Sequence, residues 1–506
     1  MRRSWPGCEL TMSASNGSAE PVFHTDASDV WHRVHPASPA IRGWLAVVAV
    51  MVIFGRNFIE QLVQSTASGK RSDTGGLPVW VVLLVILGAI LIFGVAFVLS
   101  WFFTRYQVTD DHVRINSGFI FRQQRQARID RVQAIDVVQP LLARIFNLAE
   151  LKFEVADAGK SAMKLSFLKL DEAKRLRAAI LARAAGVTID PEHPSRVEEA
   201  PEQEVLRLSP GRIIGATVFS ALSVSLLIVC VVLVILVLRG WWAALIGFLP
   251  ALLGLFAGYW GAFSKDFNFR VAVSPDGVRL HYGLLETRSQ TIPPGRVQAV
   301  SISQGLIWRI FGWYRIHLNV AGYGNEAHEN RSTLLPVGTA QQVLSVLSLV
   351  FPDPGVANPQ QVFAAGLSGK GEAEGFNHSP SRAAWLGPFV WRRNAYRATE
   401  TALLCRHGVL TRRLQVVPHE RTQSLQLKQG LLQRWLRLAD FELHSTPGPI
   451  KPLVRHLDLE AAKALFTEQA ERAAKARRIA KPEHWMSAAK SAAAETEQEA
   501  PDGSIG

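Results

Sequence analysis

Cysteine is scarce in this 506-residue chain: Cys8, Cys230 and Cys405 stand far apart, with no CxxC pair and no Cys/His cluster. A disulfide framework or zinc site therefore has little basis. Charge is thin too, 19% against roughly 25% in soluble proteins. Acidic residues number 42 against 55 Lys and Arg, for a net charge of +13. Catalytic signatures are missing. Residues 68–71, Ser-Gly-Lys-Arg, lack the upstream glycine and the Ser/Thr of a phosphate-binding loop. His328-Glu329 has no second histidine four residues on, so it is no zincin motif. No catalytic, cofactor-binding or metal-binding residue is expected, and the chain reads as a non-enzyme.

Apolar residues are plentiful, at 48%. That excludes a disordered chain. They gather in runs at 41–60, 77–103, 213–238 and 241–263, near the roughly 20 residues a membrane helix needs. The first is the weakest, since Arg56 and Glu60 lie within it. Paired, the runs form two transmembrane hairpins, 41–103 and 211–263. Trp80, Trp101, Trp241, Trp242 and Trp260 sit near run ends, as interfacial anchors do. The flanks carry Arg33, Arg42, Arg105, Arg114, Arg207, Arg212, Lys265 and Arg270, against Lys70, Arg71 and Arg239 in the turns. By the positive-inside bias, four spans with both termini cytoplasmic are expected. Residues 1–40 are polar, with Arg2 and Arg3 far from any apolar run, and read as an uncleaved cytoplasmic leader.

An internal repeat sets the organisation of the rest. Residues 106–153 align without a gap to 271–318, with 14 of 48 positions identical, and again to 396–443. Arg-Val-Gln-Ala stands at 131–134 and 296–299, and Arg-Thr-Gln-Ser at 421–424. Gln-Pro-Leu-Leu-Ala-Arg-Ile-Phe from Gln139 is matched from Gln304 and Gln429. Gly118, Gly283 and Gly408 coincide at turn signals, where glycine is free to take positive φ. Each copy reads as short alternating strands, one or two helical turns after the glutamine, another strand pair, and a closing helix. Asp171 and Asp458 are expected N-caps of the first and last closing helices. The units are 104–186, 264–352 and 385–481. Residues 187–210 and 353–384 read as linkers, and 482–506 as a disordered tail.

A hairpin followed by R-V-Q-A and then Q-x-L-(L/I)-x-R-I-F resembles the bacterial pleckstrin-homology-like family of YdbS/YdbT membrane proteins, in its three-copy layout the YdbT type. The resemblance covers residues 41 to about 479. It implies a membrane α+β fold: two transmembrane helical hairpins plus three PH-like, partly open β-barrels, each capped by a C-terminal helix. It also implies the bacterial inner membrane, and as a partner a shorter sibling with one hairpin and one unit.

Four polar positions recur in all copies: Arg131/Arg296/Arg421, Gln133/Gln298/Gln423, Gln139/Gln304/Gln429 and Arg144/Arg309/Arg434. They form either a shared interaction surface or, the preferred reading, a structural corner of the fold. Arg122, Arg125 and Arg128 precede Arg131 at steps of three, a basic loop that would meet anionic headgroups or simply be solvated. Residues 385–391, with three aromatics, read as a buried lead-in to the third unit, the alternative being an interfacial tether. Basic residues ending the last helix suit its dipole.

The expected function is a membrane-anchored scaffold presenting three units to protein partners, to each other by self-association, or to the inner surface of the lipid bilayer. The alternative is a transporter or channel component. Nucleic acid is not an expected partner, since the arginines track span flanks and repeats rather than one stripe.

Overall fold

The computed structural model describes residues 31–38, 41, 79–109, 112–118, 122–155, 163–184, 202–242, 244–274, 277–293, 295–321, 332–351, 353–446 and 448–479. The leader up to residue 30, nearly all of the 41–60 run and the 482–506 tail lie outside these.

Among the described residues each unit contributes seven strands. Unit 1 holds β1 (His32–Arg33), β2 (Arg105–Val108), β3 (His112–Ser117), β4 (Gln123–Arg128), β5 (Val132–Gln139), β6 (Leu148–Val155) and β7 (Met163–Lys169). Unit 2 repeats them as β8 (Gln203–Arg207), β9 (Arg270–Ser274), β10 (Gly277–Tyr282), β11 (Thr287–Ile292), β12 (Val297–Gln304), β13 (Tyr314–Val320) and β14 (Thr333–Gly338). Unit 3 has β15 (Asn377–His378), β16 (Ala395–Ala398), β17 (Ala402–His407), β18 (Arg412–Pro418), β19 (Ser424–Lys428), β20 (Leu438–His444) and β21 (Leu453–Asp458). The helices are α1 (Val79–Phe102), α2 (Leu141–Ile145), α3 (Leu170–Ala184), α4 (Pro210–Val218), α5 (Ala221–Leu238), α6 (Ala244–Asp266), α7 (Ala340–Val350), α8 (Pro359–Ser368), α9 (Leu431–Trp435) and α10 (Leu459–Ile479).

The strands do not close unit by unit. The first four of each unit form one sheet half and the last three another, and halves of successive units merge. One seven-stranded sheet runs β7-β6-β5-β11-β10-β9-β8, and a second runs β14-β13-β12-β18-β17-β16-β15. Both joints are antiparallel and in the same register. Gln139 faces Thr287 where β5 meets β11, and Gln304 faces Arg412 where β12 meets β18. Strands left unpaired at a sheet edge expose a row of backbone donors and acceptors; here each unit satisfies its neighbour's row. The remaining halves, β1-β2-β3-β4 and β19-β20-β21, stand at the two ends of the series. The cores lie between sheets: in unit 1, Val113, Ile115 and Ala127 of the first half pack with Ile135, Leu151 and Phe153 of the second. Val300, Ile302 and Ile316 of unit 2 share one core with Ala395, Leu404, Leu414 and Val416 of unit 3.

Turn chemistry matches the expectation. Gly118, Gly283 and Gly408 all have positive φ, at 96°, 111° and 82°. The Asp458 carboxylate accepts from the N–H of Glu460 at 3.0 Å and caps α10, whereas Asp171 falls inside the first turn of α3.

Three readings are corrected. Residues 353–384 are not a bare linker: α8 buries Val362, Phe363 and Leu367 against the second sheet. The buried Arg406 and Arg393 donate to the Ala365 and Gly366 carbonyls at 3.1 and 3.2 Å, cations placed at a helix C-terminus. Likewise β1, from the expected 1–40 leader, and β8 and β15, from the expected linkers, return to pair with β2, β9 and β16. The expected span 213–238 is divided. Ser209 caps α4 with Pro210 in its first turn, and Ser220 caps α5 anew. α4 buries Ile213 and Ala216 in unit 2, and its Arg212 donates to Gln342 at 2.7 Å. Hydropathy alone does not separate an amphipathic lead-in helix from the span that follows it.

Among the described residues two helical segments are long and apolar enough to cross a membrane, Ala221–Leu238 and Gly247–Asp266, neither buried in the fold. α1 is a further 24-residue helix without a charged side chain. Of the 41–60 run only Ile41 is described, buried beside Ala143, Leu148 and Phe167.

Candidate interaction surface

The repeated polar residues occupy equivalent places but do not converge. Gln139 Nε2 donates to the Leu148 carbonyl at 3.0 Å, and Gln429 Nε2 to the Leu438 carbonyl at 2.7 Å. Both tie the strand before the short helix to the strand after it. Gln304 is buried at the end of β12. Gln298 is buried with its amide on the Arg296 carbonyl at 3.4 Å, Gln133 lies in β5, and Gln423 is exposed. Arg131 is exposed, Arg421 pairs with Glu420 at 3.7 Å, and the Arg296 carbonyl accepts from Ala321 at 3.0 Å. Arg144 and Arg434 are exposed on α2 and α9. The expected loop carrying Arg122, Arg125 and Arg128 is largely strand: Arg125 and Arg128 belong to β4, whose residues 123–126 are exposed.

Arg309 is the exception, since it reaches the following unit. From the 3-10 turn Ile307–Arg309 of unit 2 its guanidinium donates to the Val409 carbonyl, and to that of Leu410 at 2.9 Å, in the β17–β18 turn of unit 3. Burial and the nearby Arg412 charge lower its pKa.

Other contacts between units carried no sequence signal. Arg177 of α3, almost wholly buried, donates to the Thr291 hydroxyl of β11. The buried Asn319 of β13 holds both backbone groups of Ile450, which lies between β20 and β21. Within unit 2, Glu202 receives Arg279 at 2.6 Å and His281 at 3.0 Å, pinning the approach to β8 onto β10. Burial resists ionisation of Glu202, but Arg279 and His281 outweigh it and hold its pKa down.

Two concavities follow from this arrangement. A cavity of about 490 Å³ at the junction of units 1 and 2 is lined by Lys174, Arg177, Glu202, Arg270, His281 and Arg288, among others. A cleft of about 300 Å³ in unit 3 is lined by Arg309, Lys370, Phe389, Trp391, Arg392 and Arg412, among others, with no carboxylate in its lining. Burial, then Arg406, Arg412 and Arg309, push the neighbouring Arg393 down to about 9. The lead-in beside this cleft is not buried: Trp385 is 85% exposed and Phe389 84%.

Comparison with known proteins fits this architecture. A curated relative, "UPF0699 transmembrane protein YdbT" of Bacillus subtilis (strain 168), is 27% identical over 280 residues, covering 50% of this chain and 57% of that protein. The chain thus matches little more than half the length of that relative. No solved structure matches it. The sequence profile of the bacterial PH domain matches three times in series, at residues 46–184, 213–349 and 371–473, in step with the three seven-stranded units. The chain belongs to the bacterial PH domain family.

Proposed function

We propose that this chain is a non-enzymatic, membrane-anchored scaffold whose PH-like units face the cytoplasm of a bacterial cell and recruit a further PH-like unit by strand addition. The membrane part is supported by α5 and α6, apolar and unburied, by the uncharged α1, and by the basic flanks at Arg207, Arg212, Lys265 and Arg270. The transmembrane name of the relative agrees.

One observation carries the recruiting part. Within the chain, units join through the β5–β11 and β12–β18 edges in one register. Among the described residues, the equivalent edges at the ends of the series, β4 and β19, have no second strand neighbour. Carrying the repeat offsets of 165 and 125 residues outward places Gln429 opposite Arg122, and Gln426 opposite Arg125, of a second copy. Backbone hydrogen bonds would supply affinity, and the alternating side chains register.

The test uses two full-length chains whose native cysteines are replaced by alanine, one carrying Arg125→Cys and the other Gln426→Cys, co-expressed in membranes. Mild oxidation is expected to link them, and a pairing of Arg125→Cys with the off-register Gln423→Cys is not. Equal linking of both pairs, or none, would overturn the strand-addition reading.

A further inference from the structure

Unit 3 lacks a hairpin. In units 1 and 2, residues 34–104 and 208–269 separate the lead strand from the next and contain the long apolar helices; in unit 3 only residues 379–394 separate β15 from β16. That short segment stands where a hairpin base stands in unit 2. It holds the 3-10 turn Ser381–Trp385 and exposes Trp385 and Phe389. Leu410, in the facing β17–β18 turn, is exposed as well. The carboxylate-free cationic cleft opens beside them, with Arg392 over the Trp391 ring at 4.9 Å.

This surface is continuous with the base of α5. Phe219, the residue before the Ser220 cap of α5, meets the Phe311 ring at 4.8 Å. Phe311 follows closely on Arg309, which holds the Val409 and Leu410 carbonyls at the cleft. A line of contacts thus leads from an apolar helix to the exposed aromatics of the unit that has none. Aromatic rings beside Lys and Arg are the composition that a bilayer interface retains.

We propose that residues 385–392 form a foot that docks unit 3 on an anionic bilayer, with Trp385 and Phe389 in the headgroup region and Lys370 and Arg392 meeting a lipid phosphate. This rests on the membrane-anchored reading. The occupant is a lipid surface because the apolar rings and the cations lie side by side; a free phosphate would satisfy only the cations.

The test uses the full-length, cysteine-free chain in liposomes containing brominated lipid, with a fluorophore at Phe389→Cys, at Val234→Cys in α5, or at Ala464→Cys on α10. In phosphatidylcholine with phosphatidylglycerol, lipid bromines are expected to quench the labels at 234 and 389 and to spare the label at 464. Lys370→Glu with Arg392→Glu, both exposed positions, is expected to abolish quenching at 389 and leave 234 unchanged. A label at 389 that behaves like the one at 464, while 234 is quenched, overturns the foot alone. An unquenched label at 234 overturns the membrane reading itself. Quenching at 389 that survives charge reversal overturns the lipid-phosphate contact.

Discussion

Asn319 and Ile450 lie 131 residues apart, yet their groups meet twice: Asn319 Nδ2 donates to the Ile450 carbonyl at 2.8 Å, and Asn319 Oδ1 accepts from the Ile450 N–H at 3.1 Å. One side chain of unit 2 thereby satisfies both backbone groups of a buried unit 3 residue. Asn319→Ala would strand both, at about 2–4 kcal/mol in all. Chemical unfolding of the full chain in detergent should show that loss. A loss below about 0.5 kcal/mol would mean that unit 3 is not seated on unit 2 at this point.

Gly283 turns the chain between β10 and β11 with φ of 111°, and a Cβ there would lie 1.9 Å from the Glu286 carbonyl oxygen. Gly283→Ala should therefore cost about 2–3 kcal/mol, from backbone strain plus the clash. Because β11 is also the joint to β5, limited proteolysis should release unit 1 from the variant before it degrades the rest.

The fold should weaken in mild acid. Burial, then Arg315 and Lys265, push His317 down to about 4, and burial, then Arg413, Arg455 and Arg393, do the same to His407. Unfolded, both would titrate near the usual 6.5. Between those values the unfolded chain binds more protons, so stability falls as pH drops from about 6.5 to 4 and then levels off. Unfolding midpoints measured across that window should slope less in a chain carrying His317→Gln and His407→Gln.

Topology makes a separate demand. With the units cytoplasmic, a cysteine at Arg239, in the turn between α5 and α6, should react with an impermeant maleimide on intact cells. One at Ala464 should react only after permeabilisation. The reverse pattern would place the units outside.

The repeat was legible because identities recur at fixed offsets and because three turns need glycine at positive φ. The sharing of sheets was not. A strand alternates in the same way whether its partner belongs to its own unit or the next, and the joints at Gln139–Thr287 and Gln304–Arg412 are made by backbone groups. For the same reason Arg144, Arg309 and Arg434 look alike in sequence, although among the described residues only Arg309 reaches into a following unit. Trp385 and Phe389 read as buried because large aromatics usually are; in the structure both stand exposed in the short segment between β15 and β16.

That the three PH-like units form one body through shared strands is tested most directly at Ser303 and Arg413, which face each other across the β12–β18 joint. With the native cysteines replaced by alanine, Ser303→Cys and Arg413→Cys should form a disulfide within one full-length chain in native membranes, near completion and without dimer. Two thiols that stay free to label, or disulfides formed only between chains, would contradict the account.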